Sequence, residues 1–255
     1  MKRIYHIFVP LVFLVSSCEL GRTEQEPIFD EVKLALSETL FTPEGKLKSK
    51  YDFQEFHIPL GRIDYYYDAS GKLKLSVGIK PNNDSSSVFL YDYDQRGNQV
   101  AVNVYSKEEG KHILSSKTLK EYDEMGRIIT EKNTGSIAKR TYLYDESGFL
   151  ITIILAGDLT GGECHLFYAD DQNRTARLVW GNCIEGATPI MEYFYRYNEN
   201  GLLEAKETWD GPSGKKDAFQ YFYNELDQML EEKEYYPQWG FVPRNRSTYE
   251  YYTTS

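Results

Sequence analysis

The sequence predicts an all-β protein, a long antiparallel up-and-down meander of about eight tandem hairpins curled into a barrel-like or two-layer shell. Three observations predict this fold. A Tyr-(Asp/Asn)-x-x-Gly motif recurs along the chain, apolar and polar residues alternate on both sides of its copies, and the 255 residues include 22 tyrosines. Tyrosine favours strands and can bury its ring while its hydroxyl stays wet, so it suits a thinly covered sheet.

The motif recurs at nearly regular spacing. Its complete copies begin at Tyr67, Tyr93, Tyr122, Tyr144 and Tyr197, and degenerate copies begin at Phe41, Tyr168 and Tyr223. The steps between successive leading aromatics are 26, 26, 29, 22, 24, 29 and 26 residues. A period of this kind is typical of stacked supersecondary units, so we expect each copy to belong to one such unit.

Each copy is predicted to form the tip of a β-hairpin. Asp or Asn, two polar residues and Gly suit a type I turn in which the first side chain caps the turn and the glycine adopts a positive φ. If Asp68 and Lys72 close the first loop, Tyr67 faces Leu73 across the ladder. The same arithmetic gives the pairs Tyr122–Ile128, Tyr144–Leu150, Tyr197–Leu203 and Tyr223–Met229.

Counting outward from the tips predicts an apolar inner face and a polar outer face. Tyr65 is expected opposite Leu75, and Gln99 replaces an expected aliphatic residue, so its hairpin is predicted to slip in register or to contain a bulge. Aromatic residues two positions before the motif recur at Tyr65, Tyr91, Tyr142, Tyr195 and Tyr221. The polar face is expected to carry Lys74, Asp92, Arg196, Glu204 and Lys206. A membrane barrel would need an apolar outward band, which this pattern disfavours.

The N-terminus predicts export. Two basic residues precede the apolar run 4–15, which is too short to cross a bilayer. The ending Val15-Ser16-Ser17-Cys18 resembles the lipobox of bacterial lipoproteins, which implies lipidation of Cys18; an ordinary secretory signal is the alternative. The expected organisation is a signal peptide at 1–17, a lipidated cysteine and tether at 18–38, and the repeat domain at 39–255. Residues 27–40 lack a turn motif, and a helix, an edge strand and a tether all remain open there.

The five complete motifs resemble YD repeats, found in bacterial Rhs and wall-associated toxins and in teneurins, where tandem hairpins spiral into a hollow shell. The resemblance covers nearly all of residues 41–251. Rhs shells are far longer and end in a variable toxin domain, and this chain is more similar to the short YD-like lipoproteins of Bacteroides-type bacteria. The resemblance implies a fold and an outer-membrane lipid anchor, on the periplasmic or the surface face, and it supplies no catalytic residue.

Charge and motif content exclude several functions. Removing residues 1–17 changes the balance from 29 to 27 basic against 39 acidic residues, so the net charge becomes −12. Such a body repels nucleic-acid phosphates, so no nucleic-acid partner is expected. The histidines at 57, 112 and 165 are too dispersed for a ligand set, so no metal or cofactor is expected. The Ser-x-x-Lys sequences at Ser136 and Ser213 lack the partner motifs of penicillin-recognising enzymes.

Cys164 and Cys183 flank the sixth hairpin and are expected to form a disulfide in an exported protein, with two buried or partly exposed free thiols as the alternative. A register with Asn173 at its tip sets the two cysteines opposite each other. A register that pairs Tyr168 with Leu178 buries more apolar surface and displaces them by one position, which a bulge would correct.

Trp180, Trp209 and Trp239 are candidates for a platform on which sugars stack, since rings on rigid strands bind at low entropic cost. Core packing is the alternative for each of them. Trp239 has the most loop-like surroundings and is the best candidate for exposure.

The expected function is a non-catalytic, lipid-anchored envelope protein that serves as a structural or binding module for a glycan or another envelope protein. The alternative is an envelope hydrolase with a carboxylate pair in a groove of the sheet. Acids converging in a concave pocket would favour catalysis, and an aromatic patch without them would favour binding. A third expectation is a small shell that encloses a ligand.

Overall fold

The chain folds as a closed antiparallel barrel of sixteen strands, in which every strand pairs with its neighbours in sequence and the last strand pairs with the first. The computed structural model describes residues 43–136, 139–156, 162–184, 186–236 and 242–253. The predicted all-β meander is therefore confirmed, and the sheet closes. Cys18 and the segments predicted as signal peptide and tether lie outside the described residues.

The strands are β1 Leu47–Gln54, β2 Ile58–Tyr67, β3 Leu73–Ile79, β4 Ser85–Tyr93, β5 Gln99–Glu108, β6 Lys111–Tyr122, β7 Ile128–Thr134, β8 Lys139–Tyr144, β9 Leu150–Ala156, β10 Glu163–Ala169, β11 Thr175–Asn182, β12 Met191–Tyr197, β13 Leu203–Asp210, β14 Gly214–Tyr223, β15 Met229–Tyr236 and β16 Val242–Tyr251. A short 3₁₀ turn at Gly211–Ser213 joins β13 to β14. In the described part of the chain, no helix is long and apolar enough to cross a membrane.

The motifs form the hairpin tips, as predicted. At the first tip the Asp68 N–H donates to the Lys72 carbonyl and the Gly71 N–H to the Asp68 carbonyl, both at 2.9 Å. The Asp68 carboxylate accepts from the backbone N–H groups of Ser70 and Lys72, and Gly71 has a φ of 77°. The same Asp or Asn cap to the residue four positions later occurs at Asp94, Asp123, Asp145, Asn198 and Asn224. All these tips lie at one end of the barrel, because the chain reverses there after every second strand.

Each of these hairpins contains an extra residue on its second strand, three positions after the positive-φ residue of the turn. Tyr67 faces Leu73, as expected, but Tyr66 rather than Tyr65 faces Leu75, because Lys74 is an extra residue on the second strand. The other extra residues are Val100, Ile129, Ile151, Ala176, Glu204 and Leu230. One added residue reverses the alternation of every side chain that follows it. The pairing of Tyr65 with Leu75 was therefore wrong, whereas the bulge predicted in the Gln99 hairpin is confirmed.

The sixth tip starts one residue later than the sequence suggested. The Asp170 N–H donates to the Arg174 carbonyl, and Asn173 takes the positive-φ position at 60° in place of glycine. Ala169 thus occupies the position of the motif tyrosine. Tyr168 faces Arg177. Neither predicted register of this hairpin is correct.

A cavity inside the barrel shows which wall surface faces inward. It is lined from Phe89 on β4 to Phe219 on β14, across seven neighbouring strands, and only the inside of the barrel offers such a concave space. Following the ladder pairs from these two residues places the upstream tyrosines in the lumen: Tyr65, Tyr91, Tyr142, Tyr195 and Tyr221, with Tyr249 on β16. Lys206 faces Tyr195 and also points inward, which corrects its predicted outer position.

The outer surface combines ion pairs with an apolar cluster. Outward ion pairs include Arg62–Asp64, Arg177–Glu192 and Arg196–Glu204, at 3.1, 2.6 and 3.0 Å. A cluster of buried apolar residues lies on the same side of the wall, on β3–β5: Leu75, Val77, Val88, Leu90 and Tyr105. Leu75 was expected on the inner face, and the bulge at Lys74 moves it outward.

The barrel closes through a hairpin tip that is split between the two chain ends. Tyr251 faces Leu47, as Tyr67 faces Leu73. The Tyr252 N–H donates to the Lys46 carbonyl and the Gly45 N–H to the Tyr252 carbonyl, both at 3.0 Å, which reproduces the bonds of the first tip. The β16–β1 seam is therefore an eighth repeat completed without a covalent connection.

Candidate ligand-binding sites

The motif tyrosines stiffen the turn end of the barrel. Each points inward and donates its hydroxyl to a backbone carbonyl of the preceding repeat, six residues beyond that repeat's own motif start. The donors are Tyr67, Tyr93, Tyr122, Tyr144, Tyr197, Tyr223 and Tyr251, at 2.8–2.9 Å. Burial raises the pKa of Tyr67 to about 12. These phenols are therefore fixed as protonated donors and form a ring of bonds between repeats.

Cations reinforce the same end. The Arg127 and Arg174 guanidinium groups lie 4.7 and 4.3 Å from the ring centroids of Tyr144 and Tyr197, the motif tyrosines of the next repeats. Lys72 lies 5.4 Å from the Tyr93 ring centroid. Such cation–π contacts stabilise the packing of each turn against the motif tyrosine of the next repeat. The connections at the opposite end differ in length.

A cavity of about 480 Å³ lies between β1–β4 and β14–β16. It exists because several inward positions there carry little or no side chain, namely Gly61, Gly78 and Ser87. A Cβ on Gly78 would lie 2.6 Å from the Ser87 hydroxyl, and one on Gly61 would lie 2.5 Å from the Ile79 carbonyl oxygen. Phe89 and Phe219 supply aromatic surface on its two sides. The inner wall therefore provides both an open cavity and aromatic surface.

Three carboxylates line this cavity, and each already accepts hydrogen bonds. Ser247 donates to Asp52 at 2.6 Å, and the Tyr249 hydroxyl donates to Glu232 at 3.1 Å. The third, Glu234, accepts from Arg244 at 2.7 Å and from Asn245 at 2.6 Å. These partners hold the acceptor oxygens in fixed positions, which is the preorganisation that a binding site for a polar ligand needs.

Glu232 sets the electrostatics of the surrounding lumen. Burial, and then the Glu232 charge, raise the pKa of both Tyr221 and Tyr249. Burial lowers the pKa of Lys206, while Glu232 and Glu234 oppose that effect. The Lys206 ammonium lies 3.8 Å from the centroid of the Phe219 ring. At neutral pH this region therefore presents protonated phenols as donors beside carboxylate acceptors.

A second concavity of about 700 Å³ lies at the end away from the motif turns. It is lined by Gln54, Glu55, His57, Tyr236, Val242, Arg244 and Asn245. Because Asn245 lines both spaces, the second concavity lies next to the inner cavity.

Two of the three tryptophans that were candidates for a sugar platform lie in the described residues, and they face opposite sides of the barrel wall. Trp180 faces the lumen, donates its indole N–H to Glu163 and packs edge-to-face on His165, with ring centroids 6.2 Å apart. Trp209 faces outward and is 38% exposed. The barrel wall lies between them, so they do not form one platform. Trp239 lies outside the described residues.

Trp209 belongs to an aromatic surface on the outer wall. Its ring centroid lies 6.3 Å from that of Phe194, with an interplanar angle of 82°. The two rings, Glu192, Glu207 and Gly211 line a depression of about 450 Å³. Aromatic and acidic groups thus lie together on the outside as well as in the lumen.

The two cysteines are neighbours, and their thiols are separate. Cys164 is buried opposite Gly181, and the Cys183 N–H donates to the Gly162 carbonyl. Burial, and then Cys183, raise the pKa of the Cys164 thiol to about 12. A thiol is not the reactive form, so we expect the predicted disulfide to form slowly without an oxidant catalyst. Non-reducing mass spectrometry of the exported protein should show it; two alkylatable thiols would contradict it.

Metal-ligand chemistry is not assembled in the described ranges, where no group of three His, Cys, Asp or Glu side chains could hold a metal ion. His112 lies 3.4 Å from the Ser85 hydroxyl, whereas His165 faces the lumen beside Trp180. His112 and His165 therefore do not belong to one site.

The lumen carboxylates were missed by the sequence analysis. Glu232 and Glu234 follow the bulge at Leu230, so simple alternation from the tip assigns them to the wrong face. A strand bulge in every hairpin, like the one expected at Gln99, would have assigned these acids to the inner face.

Comparisons with known proteins give only distant similarities. No protein-family model matches the chain, and no curated protein matches it. Among solved structures it is similar to a porin-like protein from Bacteroides uniformis, at 9% identity and a TM-score of 0.44, over 82% of this chain and 98% of that one. A porin-like protein from Bacteroides vulgatus matches at 10% identity and a TM-score of 0.37, over 80% and 98%.

A TcdB2-TccC3-TEV structure matches at 12% identity and a TM-score of 0.33. The match covers 69% of this chain but 11% of that one, so the chain spans about a tenth of that protein. At such scores these similarities carry no functional conclusion, and the YD-repeat resemblance stays a prediction from the motifs.

Proposed function

We propose that this chain is a non-catalytic module of the cell envelope, lipid-anchored through Cys18, whose barrel binds a saccharide in its lumen. The observation that carries the proposal is the inner cavity, where Phe89 and Phe219 stand beside the fixed oxygens of Asp52 and Glu232. Saccharides present C–H faces that pack on rings and hydroxyls that donate to carboxylates. The lining matches both properties.

The size of the cavity agrees with this assignment. Ligand sites commonly enclose about 300–1,000 Å³, and the cavity measures about 480 Å³. Short saccharides fall within that range, whereas a folded protein domain does not enter it. Entry from the end away from the motif turns would leave the hydrogen-bonded turn end undisturbed.

The test uses the soluble chain from residue 19 onward on a glycan array, followed by calorimetry with each saccharide that binds. Phe219→Ala should weaken binding at least about tenfold, the loss typical of a buried aromatic anchor. Phe222→Ala is the matched control, because Phe222 lies on the same strand, faces outward and is 40% exposed. Equal losses in both variants, or no saccharide bound at all, would reject the proposal.

The second candidate is a glycoside hydrolase, which is favoured by the presence of Asp52, Glu232 and Glu234 in one cavity. Catalysis would require one of them to act as an acid or a nucleophile, although each is engaged by a donor. Incubating the array saccharides with the soluble chain separates the two candidates. Product that disappears with Glu232→Gln would establish hydrolysis, and intact saccharide at full binding would support the module.

A further inference from the structure

We infer that the outer wall carries a second, independent site, which binds a neutral polysaccharide chain. The outer shelf is formed by Tyr168, Arg177, Phe194 and Trp209, with Glu192 and Glu207 at its sides. All six side chains lie on the outer face of β10–β13. The wall separates them from the lumen cavity, so this site does not depend on the proposed function.

The shelf has the shape of a track across strands. Tyr168 faces Arg177, which faces Phe194, which faces Glu207, so the four form one row across the strands. With strands about 4.8 Å apart, the row is roughly 14 Å long. Trp209 lies in the adjacent row, opposite Glu192. A track of this length matches consecutive rings of a polymer better than a single small molecule.

The shelf is rigid before any ligand arrives. The Arg177 guanidinium lies 5.1 Å from the Tyr168 ring centroid and 5.9 Å from that of Phe194. It also forms an ion pair with Glu192 at 2.6 Å. Cation–ring contacts and the ion pair restrict these rotamers, so binding costs less conformational entropy.

The rings remain accessible despite these contacts. Tyr168, Phe194 and Trp209 are 45, 39 and 38% exposed, on β10, β12 and β13. Clustered exposed rings differ from single surface hydrophobics, which are common and need no explanation. The depression of about 450 Å³ beside Phe194 and Trp209 gives a sugar ring a seat between them.

Charge sets the class of polysaccharide. Glu192 and Glu207 line the depression and offer acceptors for sugar hydroxyls. The chain as a whole is acidic, with a net charge of −10 that becomes −12 without residues 1–17, and it repels polymers that carry carboxylate or sulfate groups. Neutral chains are therefore accepted, and acidic chains are rejected.

The experiment titrates the soluble chain from residue 19 onward with cellohexaose, mannohexaose and chitohexaose, and with polygalacturonate as the acidic probe. At least one neutral hexamer should bind, with a change in tryptophan fluorescence, and polygalacturonate should not. Trp209→Ala should weaken that binding at least about tenfold. Phe222→Ala, which removes an equally exposed outward ring elsewhere, should leave it unchanged.

A second variant guards against misfolding. Glu207→Gln keeps the shape of the side chain and should still bind the neutral hexamer that the unaltered chain binds. Phe219→Ala should weaken lumen binding without weakening hexamer binding at the shelf, so failure at one site is distinguishable from failure at the other. Absence of binding to all three hexamers, or equal losses with Trp209→Ala and Phe222→Ala, would overturn the inference.

Discussion

The motif tyrosine has a different task at each end of its side chain. Its ring fills the lumen at the turn end, and its hydroxyl satisfies a carbonyl of the neighbouring repeat, as Tyr223 does with Leu203 at 2.9 Å. Without the hydroxyl, this carbonyl oxygen would accept only a weaker hydrogen bond. One residue type thus serves both strand propensity and inter-repeat bonding.

Removing a single hydroxyl should therefore be measurable. We expect Tyr223→Phe to lower the free energy of unfolding by about 1 kcal/mol, as measured by urea denaturation. Tyr168→Phe is the control, because Tyr168 occupies the preceding, outward position in its repeat and is 45% exposed. A control loss as large as that of Tyr223→Phe would contradict the role of the hydroxyl.

The capping aspartates predict acid sensitivity. Hydrogen bonds lower the pKa of three of these aspartates. The main donor is the backbone N–H of Arg127 for Asp123. It is the Ser147 hydroxyl for Asp145 and the Arg174 side chain for Asp170. A pKa below the unfolded value of about 3.9 adds stability that is complete above that pH and is lost as the pH falls through the folded value.

Replacing all three aspartates by asparagine should flatten this dependence. Asparagine fills the same position at Asn198 and Asn224, so the turns should persist. We expect the triple variant to show a smaller drop in Tm than the unaltered chain between pH 5 and pH 2.5. Equal slopes in the two thermal profiles would rule out the caps as the source.

Among the strands and turns, the sequence predicts which residues form the turns. It does not predict which residues of each strand face inward. The tips and the partners of the motif tyrosines follow from Asp, Asn and Gly, whose turn preferences are strong. The bulge leaves no such trace, because its extra residues are chemically unlike: Lys74, Val100, Ile129, Ile151, Ala176, Glu204 and Leu230. Inner and outer faces therefore required coordinates, and so did the lumen site.

The sixth repeat offers a gain-of-stability test. Ala169 stands where other repeats carry the motif tyrosine, and Leu150 begins the preceding repeat's second strand. We expect Ala169→Tyr to raise the free energy of unfolding by about 1 kcal/mol, because its hydroxyl would reach the Leu150 carbonyl as its counterparts do. Ala169→Phe, which adds the ring alone, should give less. A tyrosine variant no more stable than the phenylalanine variant would contradict the assignment.

The closed barrel depends on the β16–β1 seam. Closure removes the free edges that an open sheet of sixteen strands would expose. Tyr252 forms both backbone bonds that complete the split tip, and the adjacent Tyr251 donates its hydroxyl to the Met229 carbonyl of the preceding repeat at 2.9 Å. The Tyr252 hydroxyl also donates to the Tyr65 carbonyl at 3.1 Å.

Shortening the chain tests this dependence. A chain ending after Glu250 loses the seam bonds and should be less stable by roughly 3 kcal/mol, the sum of several such bonds. A chain ending after Thr253 retains them and should match the full chain. Urea unfolding of both forms measures the difference, and similar midpoints would show that the seam contributes little.

The most direct measurement is a crystal structure of the soluble chain with a saccharide selected on the array at the lumen site. We expect density between Phe89 and Phe219, with hydroxyls directed at Asp52 and Glu232. An empty lumen beside an occupied shelf would refute the lumen as the binding compartment, and a structure with Phe219 outward and Phe222 inward would contradict the phase of the barrel wall itself.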